Sequence, residues 1–286
     1  MMLEPIVKWS GSKRSQAESI VARMPREIDT YYEPFCGGCS VLNRLLQTPT
    51  VKVRQYVASD VNADLIALWN EIKATPDEIS RKYAVLWHQF NSCPQQTSSA
   101  LYDHRKAFFY DVRERYNKTH DPADFLFVMR TTTNGMPRYN ALGEFNNSCH
   151  FSRPGMHPSK LSKICSNWSV LLKAKDVQFV HRSFEDVVSD DNSLTYLDPP
   201  YMSVERHQMY FGGIDKEKFF SWLGSLKGKW ILSFDGKRGE EDYTYSVPSD
   251  LYVSHEYLVS GNSPFERYLG QGKTETVYES LYVNYR

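Results

Sequence analysis

The chain has 286 residues, enough for about two domains of ordinary size or for one large domain with an insertion. Hydrophobic residues make up 41% and charged residues 24%, proportions that are ordinary for a globular protein and exclude a disordered one. No apolar run approaches the roughly 20 residues that span a bilayer, which excludes an integral membrane protein. The first residues lack the basic and apolar stretches of a secretory signal, so we expect a cytoplasmic protein.

Lys and Arg number 34, and so do Asp and Glu, so the net charge is zero and composition does not indicate a nucleic-acid partner. Any basic surface must therefore be local. The five cysteines, in a long chain without a secretory signal, indicate reduced thiols rather than a disulfide framework.

The first part of the chain alternates strands with helices. A strand at 31–34 leads into a glycine turn, and apolar residues then recur at helical spacing over 41–46. A second strand at 53–57 ends near Asp60, and another helical pattern follows over 65–72. This alternation is the signature of an α/β fold.

From 75 to about 163 the pattern changes, because aromatic residues, His and Arg become frequent and strand-like alternation disappears. Residues 76–163 contain twelve Lys and Arg but eight Asp and Glu, so this region is mildly basic. The alternation then resumes, with strands predicted at 177–180, 193–197, 230–234 and 277–283 and a helix at 216–226. We predict a Rossmann-like doubly wound sheet built from residues 1–75 and 164–286, with residues 76–163 inserted as a mainly helical domain.

The turn Glu33-Pro-Phe-Cys-Gly-Gly-Cys39 is the first candidate site. A glycine turn after the first strand of such a sheet lets a ligand approach the backbone, and Asp60, 23 residues after Gly37, could accept hydrogen bonds from a ribose. The GxGxxG dinucleotide pattern is missing, which favours a nucleoside cofactor without a pyrophosphate, such as S-adenosylmethionine. An ordinary tight turn with a helix-capping aspartate is the alternative.

The same turn contains Cys36 and Cys39 in a Cys-x-x-Cys pattern. A zinc site would need about two further ligands at matching spacing, and the chain has no second such pair, so we predict no metal. A thioredoxin-like redox pair at the start of a helix is a minor alternative interpretation of the pattern.

The second candidate is Asp198-Pro-Pro-Tyr201, directly after a predicted strand. Two prolines make the turn rigid, Asp198 supplies a carboxylate, and Tyr201 supplies an aromatic face. A carboxylate, fixed carbonyls and a ring suit a planar heterocycle that bears an amino group. A proline turn that merely ends a strand is the alternative.

Two weaker candidates are polar loops. Lys8-Trp-Ser-Gly-Ser-Lys13 places Trp9 where it could cover a cationic or aromatic cofactor group, although taken alone the segment fits a solvated surface loop better. The segment 130–140 lies in the mildly basic region and contains residue types that bind base edges and phosphates, namely Arg130, Asn134, Arg138, Tyr139 and Asn140.

In this order, the four segments resemble the DNA adenine methylase (Dam) family of S-adenosylmethionine-dependent methyltransferases, in the arrangement called the alpha group. Ser59-Asp-Val-Asn62, Arg182-Ser-Phe184 and the ending Ser280-Leu-Tyr-Val-Asn-Tyr285 also fall where the family has related segments. The family usually has glycine where this chain has Cys39. The resemblance covers most of the chain and implies a monomeric enzyme that methylates the adenine amino group in double-stranded DNA, with GATC as the first guess for its site.

The resemblance also assigns residues. Cofactor contacts would come from Trp9, Lys13, Glu33, Pro34, Phe35, Gly37, Gly38, Asp60, Phe184 and Asp198. Asp198, Pro199, Pro200 and Tyr201 would be catalytic, and Arg138 would read a guanine. The sequence leaves open a cytosine-N4 or RNA amino-methyltransferase, a DNA-binding relative without activity, and a thiol oxidoreductase.

Overall fold

The computed structural model describes residues 2–93, 97–133, 135, 137–200, 214–262 and 276–286. The helices are α1 (Ala17–Val21), α2 (Ser40–Leu46), α3 (Ala63–Ala74), α4 (Pro76–Asn91), α5 (Ser98–Thr119), α6 (Pro122–Thr131), α7 (Pro158–Ala174) and α8 (Lys216–Ser225). The strands are β1 (Glu27–Glu33), β2 (Lys52–Asp60), β3 (Gln178–His181), β4 (Leu194–Leu197), β5 (Lys229–Arg238), β6 (Glu241–Asp242), β7 (Ser254–Asn262) and β8 (Thr276–Val283). None of the helices in these ranges is long and apolar enough to cross a membrane.

The described residues form two compact units with different boundaries from those predicted. The first unit contains residues 2–11 and 62–181, and the second contains 12–61, 182–200, 214–262 and 276–286. Helix α7 runs through the predicted boundary at 163, because Leu161, Ile164, Trp168 and Leu172 form one continuous buried face. The physical division therefore places α3 and α7 with the inserted helices.

The second unit is built on a central sheet with the order β2-β1-β4-β5-β8-β7, and β6 pairs with β5. Strands β2, β1, β4 and β5 are parallel, whereas β8 and β7 are antiparallel additions. The predicted α/β fold with a central sheet is confirmed. Strand β1 lies between β2 and β4, so the order of the strands reverses at β1. In open α/β sheets, ligands bind at such a switch point, beyond the carboxyl ends of the strands.

Burial explains the packing of α8 on this sheet. Phe219 and Leu223 of α8 are buried in one apolar cluster with Leu197, Trp230 and Leu232 from β4 and β5. This cluster fixes the end of β4, where the Asp-Pro-Pro segment begins.

The first unit is mainly helical, as predicted. Helices α4, α6 and α7 each begin with proline, which has no amide hydrogen to leave unpaired in the first turn. Trp69 of α3 packs on Trp168 of α7 with ring centroids 4.9 Å apart, and it stacks on Phe179 of β3 at 5.5 Å. These contacts hold together residues that lie 99 and 110 positions apart in the sequence.

Candidate active site

The glycine turn after β1 has the backbone shape that its sequence predicts. Gly37 has a positive φ of 44°, and Cys39, the residue before α2, is left-handed with φ 54° and ψ 39°. The Cys36 amide donates to the Ser59 carbonyl at 3.0 Å, and the Cys39 amide donates to the Cys36 carbonyl at 2.7 Å. Left-handed backbone favours glycine, which gives a physical reason for the family's usual residue at position 39.

The turn meets the end of β2 through Asp60. The Gly37 amide donates to Asp60 Oδ2 at 3.1 Å, so the two residues predicted as a pair lie in contact. Asp60 and Gly38 are half-buried, whereas Pro34 is buried. The turn therefore holds a carboxylate in a fixed orientation at the carboxyl edge of the sheet.

Glu33, the last residue of β1, is a buried carboxyl group. It accepts a hydrogen bond from the Tyr31 hydroxyl at 2.6 Å. Burial raises the pKa of Glu33 to about 8, against the opposing effect of the Tyr31 hydrogen bond, and the charge of Asp198 raises it further. Glu33 is thus largely protonated at neutral pH.

Asp198 follows β4 directly, and its side chain is 19% exposed. The Lys13 ammonium lies 2.7 Å from Asp198 Oδ1 and 3.3 Å from Glu279 Oε2. Burial raises the pKa of Asp198 to about 6, Lys13 lowers it, and the charges of Glu279 and Asp235 raise it. Asp198 is thus ionised at neutral pH but titrates close to it.

The two prolines of the Asp-Pro-Pro-Tyr segment follow Asp198 at the end of β4. Pro199 is buried and Pro200 is half-buried. Tyr201 lies outside the described residues.

Two predicted cofactor residues lie side by side. The rings of Phe35, in the turn after β1, and Phe184, in a short 3-10 turn at Phe184–Asp186, have centroids 5.4 Å apart. Phe184 also packs edge-on against Trp222 of α8 at 4.9 Å. Both Phe side chains are half-buried, so they form an aromatic wall that is still accessible.

Trp9 belongs to the other compact unit and is half-buried there. Its predicted contact with the cofactor therefore remains a prediction.

The cysteine pair has the environment of core thiols. Cys36 and Cys39 are free and buried, and burial raises the pKa of both. A protonated thiol is a poor nucleophile and a poor metal ligand. Within the described ranges, no group of three or more His, Cys, Asp or Glu side chains is arranged to hold a metal ion.

Arg138 lies on an irregular hairpin of the first unit that runs from Thr132 to Cys149. Its side chain is exposed, while its backbone amide donates a hydrogen bond to Asn147 Oδ1 at 2.6 Å and its carbonyl accepts one from the Asn146 amide at 2.9 Å. An exposed guanidinium is thus presented from a fixed backbone.

The neighbours of Arg138 build that hairpin. Asn140 Oδ1 accepts the amides of Leu142 and Glu144 at 3.0 and 2.9 Å, which closes the turn. Tyr139 is half-buried, packs on Phe145 and accepts a hydrogen bond from Asn62 at 3.0 Å. Asn134 lies outside the described residues.

Arg130 differs from the prediction of a DNA contact. It is 9% exposed, and its guanidinium donates to the Ile6 carbonyl at 3.3 Å. The reason is its place on α6, whose residues are nearly all buried. A contact with DNA would need this side chain exposed, so its burial argues against the predicted role of Arg130.

Sequence reasoning did not identify Glu279, a β8 carboxylate that shares the Lys13 ammonium with Asp198. A signal does exist in the strand 276–283, because Glu279 is its one charged residue. Lys13, assigned by resemblance to the cofactor, has an ionic role inside the protein that the motif did not indicate.

Comparison with known proteins identifies the family of this chain. The family model described as D12 class N6 adenine-specific DNA methyltransferase matches residues 9–225, about three quarters of the chain. The Type II methyltransferase M.MjaIII of Methanocaldococcus jannaschii is 28% identical over 310 residues, with 100% of both chains covered. The Type II methyltransferase M.CviBI of Paramecium bursaria Chlorella virus NC1A is 26% identical, with 89% of this chain and 90% of that protein covered.

The DNA adenine methylase of Escherichia coli K12 is 30% identical over 68% of this chain, and the match spans 64% of that methylase. A solved rRNA methyltransferase, AviRa from Streptomyces viridochromogenes, is 15% identical with a TM-score of 0.35 and with 94% and 82% of the two chains covered, a likeness too low to support an argument. Methyltransferases of the matched family use S-adenosylmethionine, which confirms the predicted cofactor. The chain belongs to the family of D12 class N6 adenine-specific DNA methyltransferases.

Proposed function

We propose that this enzyme transfers a methyl group to the amino nitrogen of adenine at a specific site in duplex DNA, with the adenine flipped out of the helix. The observation that carries the proposal is Asp198, a carboxylate at the end of β4 held by the buried Lys13 ammonium. A GATC-like sequence is the first candidate for the site, as the resemblance to DNA adenine methylases implies.

The cofactor site would be formed by the residues that the resemblance assigns. They are Trp9, Lys13, Glu33, Pro34, Phe35, Gly37, Gly38, Asp60, Phe184 and Asp198. The described part of this set suits a nucleoside, since Asp60 is an oriented ribose acceptor and Phe35 with Phe184 supplies an apolar wall for a base. When bound, S-adenosylmethionine supplies an electrophilic methyl group on a sulfonium.

Asp198 would act on the target base as a hydrogen-bond acceptor. Its pKa of about 6 leaves it ionised at pH 7.5, and an ionised carboxylate accepts stronger hydrogen bonds than a neutral group. Asp198 and the Pro199 carbonyl would accept the two amino hydrogens, while Pro200 keeps the segment rigid and Tyr201 stacks on the base. This arrangement draws the amine out of conjugation with the ring and fixes its direction of attack.

Flipping the base costs a few kcal/mol, because adenine must leave its stack and its pair. Contacts elsewhere on the DNA must offset this cost. We propose that residues 76–163 supply them, with Arg138 reading a guanine edge from the hairpin 132–149. Asn134, Tyr139 and Asn140 would support or extend this contact, and the enzyme would act on DNA in the cytoplasm as a monomer.

The test is transfer of labelled methyl from S-adenosylmethionine to unmethylated duplex DNA, with the product nucleoside identified by mass spectrometry and its position by sequencing. N6-methyladenine at a defined sequence is the expected product. N4-methylcytosine, or label on RNA alone, would replace the proposal with the corresponding activity. Binding of DNA and cofactor without any transfer would indicate an inactive relative.

The matched pair for this assay is Asp198→Asn and Asp242→Asn. Both substitutions replace a carboxylate of the second unit with an isosteric amide, but Asp242 is exposed on β6 and only Asp198 belongs to the Asp-Pro-Pro-Tyr segment. Asp198→Asn should lower kcat at least about a hundredfold, because the charged acceptor is lost. DNA affinity should persist, since phosphate contacts dominate it. Equal losses in the two variants would contradict a direct role for Asp198.

A further inference from the structure

The Lys13 side chain is a buried cation between two carboxylates. It is 2% exposed, and its ammonium lies 2.7 Å from Asp198 Oδ1 and 3.3 Å from Glu279 Oε2. A buried charge is tolerated when it is paired, so each carboxylate restricts where the ammonium can lie. The position of Lys13 therefore depends on Glu279 as well as on Asp198.

Glu279 is itself held from the neighbouring strand. Its Oε1 accepts a hydrogen bond from the Ser260 hydroxyl at 3.1 Å, and its other oxygen, Oε2, faces Lys13. Glu279 pairs with Asp235 of β5 and with Leu258 of β7 in the antiparallel register. The carboxylate is thus fixed by β-sheet backbone on both sides and by a side chain from β7.

We propose that Glu279 is a positioning residue of the methyl-transfer site: it anchors the Lys13 ammonium, and through it orients the Asp198 carboxylate toward the substrate amine. This inference rests on the proposed role of Asp198. In this proposal, the Lys13 ammonium binds Oδ1 of Asp198, and Oδ2 of Asp198 accepts the hydrogen bond from the adenine amino group. Glu279 touches neither the base nor the reacting atoms.

The same arrangement sets the charge of Asp198. The charged and titratable groups that act on it come from four strands and the amino-terminal segment, namely Glu33, Tyr196, Asp235, Glu279 and Lys13. Lys13 lowers the pKa of Asp198, whereas Glu279 raises it. Glu279 thereby offsets part of the decrease that Lys13 causes in the pKa of Asp198. Asp198 is therefore a stronger hydrogen-bond acceptor than it would be if it were paired with Lys13 alone.

Glu279→Gln is the decisive variant, because glutamine keeps the shape and an acceptor oxygen but removes the charge. We expect kcat to fall roughly tenfold with the KM for DNA unchanged, since an interaction made through Asp198 in the transition state is weakened. The acidic limb of the kcat profile, set by Asp198, should also move to lower pH, because a like charge has been removed.

The matched control is Glu256→Gln on β7. It removes a carboxylate from the adjacent strand of the same sheet, but Glu256 pairs with Arg23 rather than with Lys13. It should leave both kcat and the acidic limb unchanged. Ser260→Ala, which removes only the hydroxyl that holds Glu279, is a milder second variant and should lower kcat in the same direction.

Titration of Asp198 by carbon-13 NMR of carboxyl-labelled aspartate provides a readout without cofactor or DNA, with Asp198→Asn used to assign the signal. A lower pKa of Asp198 in Glu279→Gln than in wild type supports the inference, and an unchanged pKa with an unchanged kcat profile overturns it. If the wild-type chain transferred no methyl group to DNA, the proposed function would fail, while the titration would still decide whether Glu279 acts on Asp198.

Discussion

Replacing Asp198 with asparagine should stabilise the folded protein while it removes activity. Asp198 is a carboxylate whose folded-state pKa is about 6, against an ordinary value of 3.8, and burial is the largest cause. A carboxyl group with a raised pKa binds more protons in the folded state than in the unfolded state. Between pH 3.8 and about pH 6, the free energy of unfolding of the wild-type protein therefore falls as the pH rises.

The difference between the two pKa values gives the magnitude. A rise from 3.8 to about 6 corresponds to about 3 kcal/mol of stability, present below pH 4 and lost by the time the pH passes 6. Asparagine resembles the protonated carboxyl at every pH, so Asp198→Asn should exceed wild type by up to about 3 kcal/mol at pH 8. Below pH 4 the two proteins should be equally stable. Lys13 retains its contact with Glu279 in the variant, which limits the cost of removing its other partner.

The assay is urea unfolding of both proteins between pH 4 and pH 8, followed by tryptophan fluorescence, with the difference in unfolding free energy plotted against pH. Taking the difference cancels the contribution of groups that do not interact with Asp198. Glu33 is not one of them, because the charge of Asp198 raises its pKa. A difference that stays near zero across the range, or an Asp198→Asn protein that is less stable at pH 8, would refute the reasoning. Either result would mean that Asp198 is not destabilised by burial as its surroundings indicate.

Three further predictions concern other parts of the molecule. Arg138→Ala should reduce discrimination at one base of the recognition site by about 1 to 3 kcal/mol, measured as kcat/KM on cognate and singly substituted duplexes, and an unchanged preference would contradict it. Glu33→Gln should remove the fall in wild-type stability between about pH 6 and pH 8, where Asp198 no longer contributes, because the raised pKa of Glu33 makes the folded state hold its proton there; urea unfolding of both proteins checks this, and equal slopes over that range would contradict it. In the native protein, iodoacetamide at pH 7.5 should label Cys93, which is partly exposed, far faster than Cys36 or Cys39, and mass spectrometry of peptides would show rapid labelling of the buried pair if the reasoning is wrong.

The order of residues along the chain is enough to predict the α/β class and the positions of the main motifs. A glycine turn after a strand, an acidic residue 23 positions later and the Asp-Pro-Pro-Tyr segment at the end of another strand depend on local order along the chain. Parallel strands bring their carboxyl ends to one edge, so Glu33, Asp60 and Asp198 could be assigned to a common edge without coordinates. The edge strand β7 was missed, because its alternation is interrupted by polar and charged residues.

Which of those residues contact one another, and whether their side chains are charged, depends on the tertiary structure. Helical periodicity located the insertion, but the boundaries of the compact units depend on packing such as Trp69 against Trp168, which no local pattern reveals. The residue types around Arg138 predict a DNA contact, yet the structure leaves Arg138 exposed and buries Arg130. The contact of Lys13 with Glu279 joins residues 266 positions apart, and the two charges act in opposite directions on the pKa of Asp198, which burial raises most. Burial and electrostatic interaction depend on distance in space, and the sequence fixes that distance only through the completed fold.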